Sequence, residues 1–178
     1  DKIIWQARLV ADIDVFGQGY DKRNWEAISR LKGRLSKEIA DIYWANMEGA
    51  YATSLGNGGN VADRGYFKEV TSGARDVVIS DPVVSKSLGV PIVVVAVPTR
   101  DGGGTINGMI GALMRLEDLS TIMSSIKVGD SGYGWIVDRT GLILAHPAGD
   151  KAIMVLNVTD ADKTGYKGLD ALGREMIK

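Results

Sequence analysis

The chain of 178 residues is 45% hydrophobic and nearly neutral, with 21 lysines and arginines against 22 aspartates and glutamates. That length and apolar content suit one hydrophobic core, or two small modules that share a helical spine. The balanced charge argues against a nucleic-acid partner, which usually shows as a basic patch on a basic domain. The absence of cysteine excludes disulfides and cysteine-ligated metals, but it does not indicate a cellular compartment.

An amphipathic helical segment is predicted at the N-terminus. Apolar residues recur at helical spacing within residues 2–16 and again within 25–39, where Asp21 is a candidate helix cap. The Gly-Gln-Gly-Tyr interruption at 17–20 is consistent with a bend in one long helix. We expect this spine, residues 1–39, to pack against a sheet, and the same pattern is typical of a dimer seam or a stalk. The longest apolar runs are much shorter than the roughly 20 residues that a transmembrane helix needs.

The middle of the chain has the pattern of an antiparallel sheet with short helices. The segment 41–54 predicts two strands joined at Glu48-Gly49, and residues 63–72 predict a short helix with Asp63 as its N-cap. The run 91–98 is apolar on both faces, which indicates a central strand. The further predicted elements are strands at 76–80 and 105–116, a hairpin turn at 100–104 and a helix at 117–126. This order predicts an α+β fold that pairs mainly sequence neighbours.

A faint repeat links the two ends of the chain. The segment DIYWANMEGAYATS at 41–54 is echoed by YGWIVDRTGLILAHP at 133–147, each with a tryptophan-bearing strand, a tight turn and a second strand. After the second hairpin we expect a loop and a helix, but not the three further strands of the first module. We therefore expect a second module that lacks most of its sheet, within an excised piece of a longer protein.

Four segments carry a family resemblance. They are NVADRGYFKEVTSG (60–73), VVISDPVVSKSLGVPIVVVAVP (77–98), GMIGALMRLEDLSTI (108–122) and GYGWIVDRTGLILAHP (132–147). In this order and spacing, over about residues 20–150, the chain resembles the double Cache sensor domain. Such domains are the extracytoplasmic ligand-binding parts of bacterial and archaeal chemotaxis receptors, histidine kinases and diguanylate cyclases.

The resemblance implies a specific architecture and no catalytic role. A long N-terminal helix is followed by a membrane-distal PAS-like module at 40–117 that binds the ligand. A linker helix and a partial membrane-proximal PAS-like module follow at 118–178. The resemblance also implies a membrane-anchored parent protein that relays ligand binding through a membrane helix to a cytoplasmic output domain, without a cofactor. A homodimer through the N-terminal helix is compatible with this arrangement.

The Arg-x-aromatic-aromatic motif at 64–67 indicates how a ligand is bound. In family members that bind amino acids, the arginine and the aromatic residues grip the ligand carboxylate, and the matching residues are Arg64, Tyr66 and Phe67. A guanidinium offers a planar fork that a carboxylate meets with two hydrogen bonds. Backbone N–H groups at a helix start add positive potential. The neighbouring glycine run, 56–59, is expected to be a flexible loop that can close over the ligand.

Two departures from the family pattern narrow the ligand class. Members that bind amino acids carry a tyrosine after the Asp/Glu-Pro turn and an aspartate after the Gly-x-x-Gly strand, both directed at the ligand amine. The corresponding residues are Val83 and Leu113, and Phe67 lacks a phenol. We therefore expect a small organic acid, or a less polar ligand with one anionic group. The alternative is structural: Arg64 makes an internal salt bridge, for example with Asp81, and orders the loop.

The alternation of side chains along the predicted strands indicates the remaining candidate ligand-binding residues. Side chains at alternate positions of a strand share one face. We favour the set Trp44, Asn46, Tyr51 and Thr53, because polar groups among aromatics suit a binding site. The opposite choice, with Tyr43 facing the ligand, is nearly as well supported, and Trp44 is also a natural core residue.

Other functions have weaker support in the sequence. The GDSG stretch at 129–132 resembles a protease nucleophile segment, which would make Ser131 a hydrolase nucleophile, but His146 lies downstream across a predicted hairpin. One histidine without cysteine makes a zinc site improbable and gives haem no support. No phosphate-binding glycine motif is present. A further alternative is an interaction module that binds a solute-loaded carrier protein, with Val83 and Leu113 marking a pocket that has lost its ligand.

Overall fold

The computed structural model describes residues 2–13, 22–130, 132–165 and 167–177, and the chain divides into two compact units, Asp1–Met114 and Arg115–Lys178. The elements up to the end of the main sheet are α1 (Lys2–Ala11), α2 (Lys22–Lys32), β1 (Asp41–Asn46), β2 (Ala50–Thr53), β3 (Gly58–Asn60), α3 (Gly65–Thr71), β4 (Val78–Ile79), β5 (Val83–Val84), β6 (Pro91–Arg100) and β7 (Ile106–Arg115). Those that follow are α4 (Leu116–Ser124), β8 (Lys127–Val128), β9 (Gly132–Tyr133), β10 (Ile136–Val137), β11 (Ile143–Ala145), 3₁₀ turns at Gly149–Lys151 and Val158–Thr164, and α5 (Leu169–Met176).

The first unit is built on one antiparallel sheet with the strand order β3-β2-β1-β7-β6-β4, in which β5 also pairs with β6. Most neighbours in the sheet are neighbours in sequence, and the pairing of β1 with β7 joins the two groups of strands. All residues of 92–97 in β6 are buried, so this strand is covered on both faces. The predicted α+β class, the two strands of 41–54 and the central strand are therefore confirmed.

The sheet separates two hydrophobic clusters. One face carries Ile42, Trp44 and Ile110 and packs against the N-terminal helices, with α1 on β6 and α2 on β1. The other face carries Tyr43 and Met109 and packs against α3. Because side chains alternate between the faces of a strand, each residue of β1 is committed to one of these two clusters.

Two glycines make room for tyrosine rings on the α3 face. The register pairs Tyr43 with Gly111 and Tyr51 with Gly59. A Cβ atom at Gly111 would lie 2.4 Å from the Tyr43 ring, and one at Gly59 would lie 2.7 Å from the Tyr51 hydroxyl oxygen. Both rings can therefore lie across the neighbouring strand only because that strand has no side chain there.

Two local predictions on the α3 side are wrong. Helix α3 starts at Gly65, its N-cap position is Arg64 in an extended conformation, and no side chain caps it. The predicted cap, Asp63, instead accepts a hydrogen bond from Lys86, which competes for the carboxylate. The glycine run was expected to be a flexible loop, but Gly58–Asn60 forms the edge strand β3 against β2. The predicted cap Asp21 and the interruption at 17–20 lie outside the described residues.

The second unit contains the predicted second hairpin. Strands β10 and β11 pair antiparallel, and Asp138 Oδ1 accepts hydrogen bonds from the backbone N–H groups of Thr140 and Leu142 in the turn. The predicted terminal helix is α5. Within the described parts of the chain, no helix has the length and apolar character needed to cross a membrane.

We expect Gly111→Ala to lower the free energy of unfolding by about 1–3 kcal/mol, because the new Cβ must displace the packed Tyr43 ring. Chemical denaturation measures the change. Gly33→Ala is the matched control, because a Cβ at Gly33 meets no atom within 4 Å. Equal denaturation midpoints for Gly111→Ala and the wild type would show that the ring is not held against this strand.

Candidate ligand-binding site

A small, nearly closed cavity of about 20 Å³ lies in the first unit, on the α3 face of the sheet. Its polar and aromatic lining residues are Tyr43, Tyr51, Arg64 and Tyr66. Its apolar lining residues are Val61, Val83, Ile92, Val94 and Leu113, and the segment Val84–Ser87 covers it. This volume holds about one water molecule, so a larger occupant requires the lining to move apart.

Three buried tyrosines form the aromatic part of the lining. The Tyr43 hydroxyl donates a hydrogen bond to the Tyr66 hydroxyl oxygen at 3.1 Å, and the ring centroids of Tyr43 and Tyr51 are 5.1 Å apart. Burial raises the pKa of Tyr43 well above its ordinary value and also raises the pKa values of Tyr51 and Tyr66. The phenols are therefore neutral hydrogen-bond donors at physiological pH.

Two cationic side chains line the cavity, Arg64 and Lys86 of the covering segment. Arg64 is the one that belongs to the Arg-x-aromatic-aromatic motif. Its Nη2 donates a hydrogen bond to the Val84 carbonyl oxygen at 3.3 Å. It lines the same cavity as Tyr43, Tyr51 and Tyr66, and its charge opposes the effect of burial on the pKa values of all three phenols. A guanidinium with phenol donors beside it is suited to an anionic oxygen acceptor.

The segment Val84–Ser87, here called the strap, is held by backbone pairing with β6, beside which the Ser85 N–H donates to the Val90 carbonyl oxygen at 3.0 Å, and by two side chains. Arg64 holds it through the Val84 carbonyl, and Lys86 Nζ donates to the Asn60 carbonyl oxygen and to Asp63 Oδ1, each at 2.9 Å. Exposed ion pairs of this kind contribute about 0–1 kcal/mol each. The Lys86–Asp63 ion pair therefore adds little to the backbone pairing that holds the strap.

The structure brings five of the ten predicted site residues together around this cavity. They are Tyr51, Arg64, Tyr66, Val83 and Leu113. Three others do not line the cavity. Phe67 is buried in the core beneath α3, Thr53 Oγ1 accepts hydrogen bonds from the N–H groups of a turn, and Asp81 is exposed.

Trp44 and Asn46 lie elsewhere, and the predicted shared face is wrong for them. Trp44 is buried in the helix-side cluster, where its Nε1 donates to Thr99 Oγ1 at 3.2 Å. Asn46 Oδ1 accepts from the Ala50 N–H at 2.9 Å and closes the β1–β2 turn. The reason is register: Tyr51 pairs with Ala45, so it shares a face with the odd-numbered residues of β1.

Sequence reasoning missed Tyr43 and the strap residues Ser85, Lys86 and Ser87 as lining residues. Tyr43 had a detectable signal, because a tight turn at Glu48-Gly49 fixes which residues of the two strands face each other. The strap residues had none, since their position depends on bonds to Asn60 and Asp63 from a distant part of the chain.

A larger, mostly apolar cavity of about 320 Å³ lies in the second unit, lined by residues that include Trp135, His146 and Asn157. Two of its polar side chains already make hydrogen bonds within the protein. The Asn157 amide bonds to Thr140 and Thr159, and His146 Nδ1 accepts from the Ala148 N–H. Burial lowers the pKa of His146, which favours its neutral form. This cavity therefore lacks the charged recognition groups of the first.

Nothing in the described structure supports a metal centre or a catalytic serine. No three histidine, aspartate or glutamate side chains of the described residues are grouped so that they could hold a metal ion. Ser131, the candidate hydrolase nucleophile, lies outside the described residues.

A family model described as a Cache domain, dCache_1, matches residues 8–177. The chain belongs to the double Cache family. This Cache domain is therefore an extracytoplasmic, chemoreceptor-type ligand-binding domain of a membrane receptor, and it is not itself catalytic.

Relatives of the Cache domain are chemotaxis receptors. The methyl-accepting chemotaxis protein McpA of Bacillus subtilis strain 168 is 26% identical over 117 residues, which is 64% of this chain but 17% of McpA. The chain thus corresponds to a small part of that relative.

Solved structures share the fold at low sequence identity. The ligand-binding domain of the Pseudomonas fluorescens chemoreceptor CtaA, in complex with L-serine, is 18% identical with a TM-score of 0.71, over 89% of this chain and 68% of that one. That of the Pseudomonas aeruginosa PAO1 amino acid chemoreceptor PctC, in complex with GABA, is 21% identical with a TM-score of 0.67, over 88% and 69%.

We expect the stability of the Cache domain to fall above about pH 10, the ordinary pKa of tyrosine, because ionisation then favours the unfolded chain over buried neutral phenols. Below that pH the contribution is fully present. Tyr43→Phe should show a shallower alkaline loss in urea denaturation, and Tyr133→Phe, which removes an exposed phenol, is the control. Parallel pH profiles for Tyr43→Phe and wild type would contradict the assignment.

Proposed function

We propose that the domain binds a small carboxylate-bearing molecule in the cavity around Arg64 and that a longer receptor relays this event across the membrane. The observation that carries the proposal is that Arg64 lines the same cavity as three buried tyrosines, Tyr43, Tyr51 and Tyr66. Residues 40–117 are then the membrane-distal PAS-like module, and residues 118–178 contain the linker helix and part of a proximal one.

The carboxylate is the part of the ligand that this lining recognises best. A guanidinium pairs with a carboxylate through charge-assisted hydrogen bonds, and phenols can donate to the same oxygens. L-serine and GABA, the ligands in the related CtaA and PctC structures, both carry a carboxylate. The apolar side chains of Val83 and Leu113 add surface for a hydrocarbon portion, which a small organic acid provides.

Ligand binding would act through the strap. In the closed form Arg64 donates to the Val84 carbonyl, and a carboxylate competes for the same guanidinium. A ligand that binds the open strap more tightly shifts the population toward it. The sheet between the cavity and helices α1 and α2 gives this shift a physical route to the N-terminal spine.

The N-terminal spine also has a surface suited to a homodimer. Helix α1 buries Ala7, Val10 and Ala11 but leaves Trp5 62% exposed and Leu9 53% exposed, one helical turn apart.

We expect sedimentation equilibrium to show self-association of the domain, and we expect the double substitution Trp5→Ser with Leu9→Ser to abolish it. The double variant should keep the wild-type melting temperature. If the wild type stays monomeric at all concentrations tested, the isolated domain does not dimerise through Trp5 and Leu9.

Arg64→Ala should weaken binding of a carboxylate ligand by about thirtyfold or more, because a closed site loses the charged partner of the carboxylate. The ligand is found by a thermal-shift screen with small organic acids, amino acids, purines and amines, and titration calorimetry then measures its affinity. Arg75→Ala is the matched control, because Arg75 is exposed and pairs with Glu69 at 2.9 Å.

Two outcomes would contradict the proposal in different ways. Equal affinities for wild type and Arg64→Ala would make Arg64 a structural residue. A screen in which no solute stabilises the wild type would instead favour the alternative of an interaction module for a solute-loaded carrier protein, since the cavity is nearly filled by its own side chains.

A further inference from the structure

The apolar cavity of the second unit has the size and lining of a small-molecule site. Its volume of about 320 Å³ lies within the range typical of ligand pockets, and a dry apolar cavity of about 150 Å³ is enough to bind benzene. Among its lining residues, Ile143, Val158 and Ala161 are buried, whereas Tyr133 is 51% exposed. The cavity therefore has a buried apolar part and reaches the surface beside Tyr133, with room for one or two aromatic rings.

The internal repeat makes this cavity the counterpart of the cavity around Arg64. In each hairpin a glycine with positive φ closes the turn. Tyr43 and Trp135 each stand six residues before that glycine, and Tyr51 and Ile143 each stand two residues after it. The first of each pair lines the cavity of the first unit, and the second lines the cavity of the second unit. Corresponding positions of the two hairpins thus face a cavity in both units.

The lining of the second cavity offers hydrogen-bond donors on aromatic rings. The His146 ring stands nearly perpendicular to the rings of Tyr133 and Trp135, with centroid distances of 5.2 and 6.1 Å. Since His146 Nδ1 accepts from the Ala148 N–H at 3.0 Å, the neutral imidazole carries its proton on Nε2. The Trp135 indole N–H is accessible and makes no hydrogen bond to any described residue.

These groups favour a ligand that is uncharged and accepts a hydrogen bond. An indole N–H is a donor only, at any pH, so it matches an acceptor atom. Aromatic faces also attract cations, but the described lining contains no carboxylate to balance one. A carboxylate ligand would find no cationic side chain among the same residues.

We propose that the cavity beside Trp135 is a second ligand-binding site, for an uncharged aromatic heterocycle of one or two rings whose acceptor atom takes a hydrogen bond from the Trp135 indole N–H. The ring of the ligand packs against the buried side chains of Ile143 and Val158. One domain then binds two chemically different solutes, an anion at Arg64 and a neutral heterocycle at Trp135.

The test uses quinoline, which is uncharged at neutral pH and has a ring nitrogen acceptor, beside two ligands of similar size. Indole has a donor but no acceptor, and N-methylquinolinium has a positive charge but no acceptor. ¹H–¹⁵N NMR follows the indole N–H resonance of Trp135, which is assigned through its loss in Trp135→Phe. Quinoline should move this resonance downfield, leave those of Trp5 and Trp44 in place, and bind about threefold to tenfold more tightly than indole.

Three variants locate the bound quinoline. Trp135→Phe keeps an aromatic ring without the donor and should weaken binding by about threefold to tenfold. Ala161→Leu fills the buried part of the cavity and should abolish binding. Its matched control is Ala171→Leu on the exposed face of α5, which should bind quinoline as the wild type does. Arg64→Ala should also leave quinoline affinity unchanged.

A Trp135 resonance that quinoline does not move, or an Ala161→Leu variant that binds quinoline as tightly as the wild type, overturns the inference. Tighter binding of N-methylquinolinium than of quinoline also overturns it, because the site would then be a cage for organic cations. Loss of quinoline binding in Arg64→Ala would overturn it by placing quinoline in the first cavity. If Ala161→Leu fails to fold, the affinities of the three ligands for the wild type and Trp135→Phe decide. Failure of carboxylates to bind at Arg64 affects the proposed function alone.

Discussion

The antiparallel register of β1 on β7 is the constraint on which the rest of the first unit depends. It pairs Tyr43 with Gly111 and Asp41 with Leu113, and so decides which side chains of β1 reach α3 and which reach the N-terminal helices. A shift of one residue would exchange the two sets, turning Trp44 toward the cavity and burying Tyr43 against the helices. The missing side chain at Gly111 fixes this choice, because the Tyr43 ring occupies the space where a Cβ would stand.

The same register separates an apolar face of the sheet from a face that buries polar side chains. The helix-side cluster is almost purely apolar, and its tryptophan hydrogen bond to Thr99 is satisfied. The α3 side holds three phenols, a guanidinium nearby and the buried carboxylate of Asp41. Buried polar groups are costly to keep and are usually paired, so their concentration on one face distinguishes the α3 side from the helix side. The closed strap accounts for the small cavity, since the groups that hold it, Arg64 and Lys86, also face the space that a ligand would fill.

The sequence was sufficient for most of the fold and for part of the site. Apolar patterns and turn signals located β1, β2, β6 and β7, and the arginine and tyrosine of the Arg-x-aromatic-aromatic motif both line the cavity. The face of Trp44 was mispredicted, because alternation reveals two faces but not which one meets the ligand. That choice depends on pairing across strands, where Tyr51 opposes Ala45.

The most direct measurement is a crystal structure of the domain with γ-aminobutyrate bound. The proposed site predicts the carboxylate on the Arg64 guanidinium in place of the Val84 carbonyl, with the strap displaced. A ligand found instead in the apolar cavity beside Trp135 and His146, with the strap still closed over Arg64, would contradict the assignment of the site.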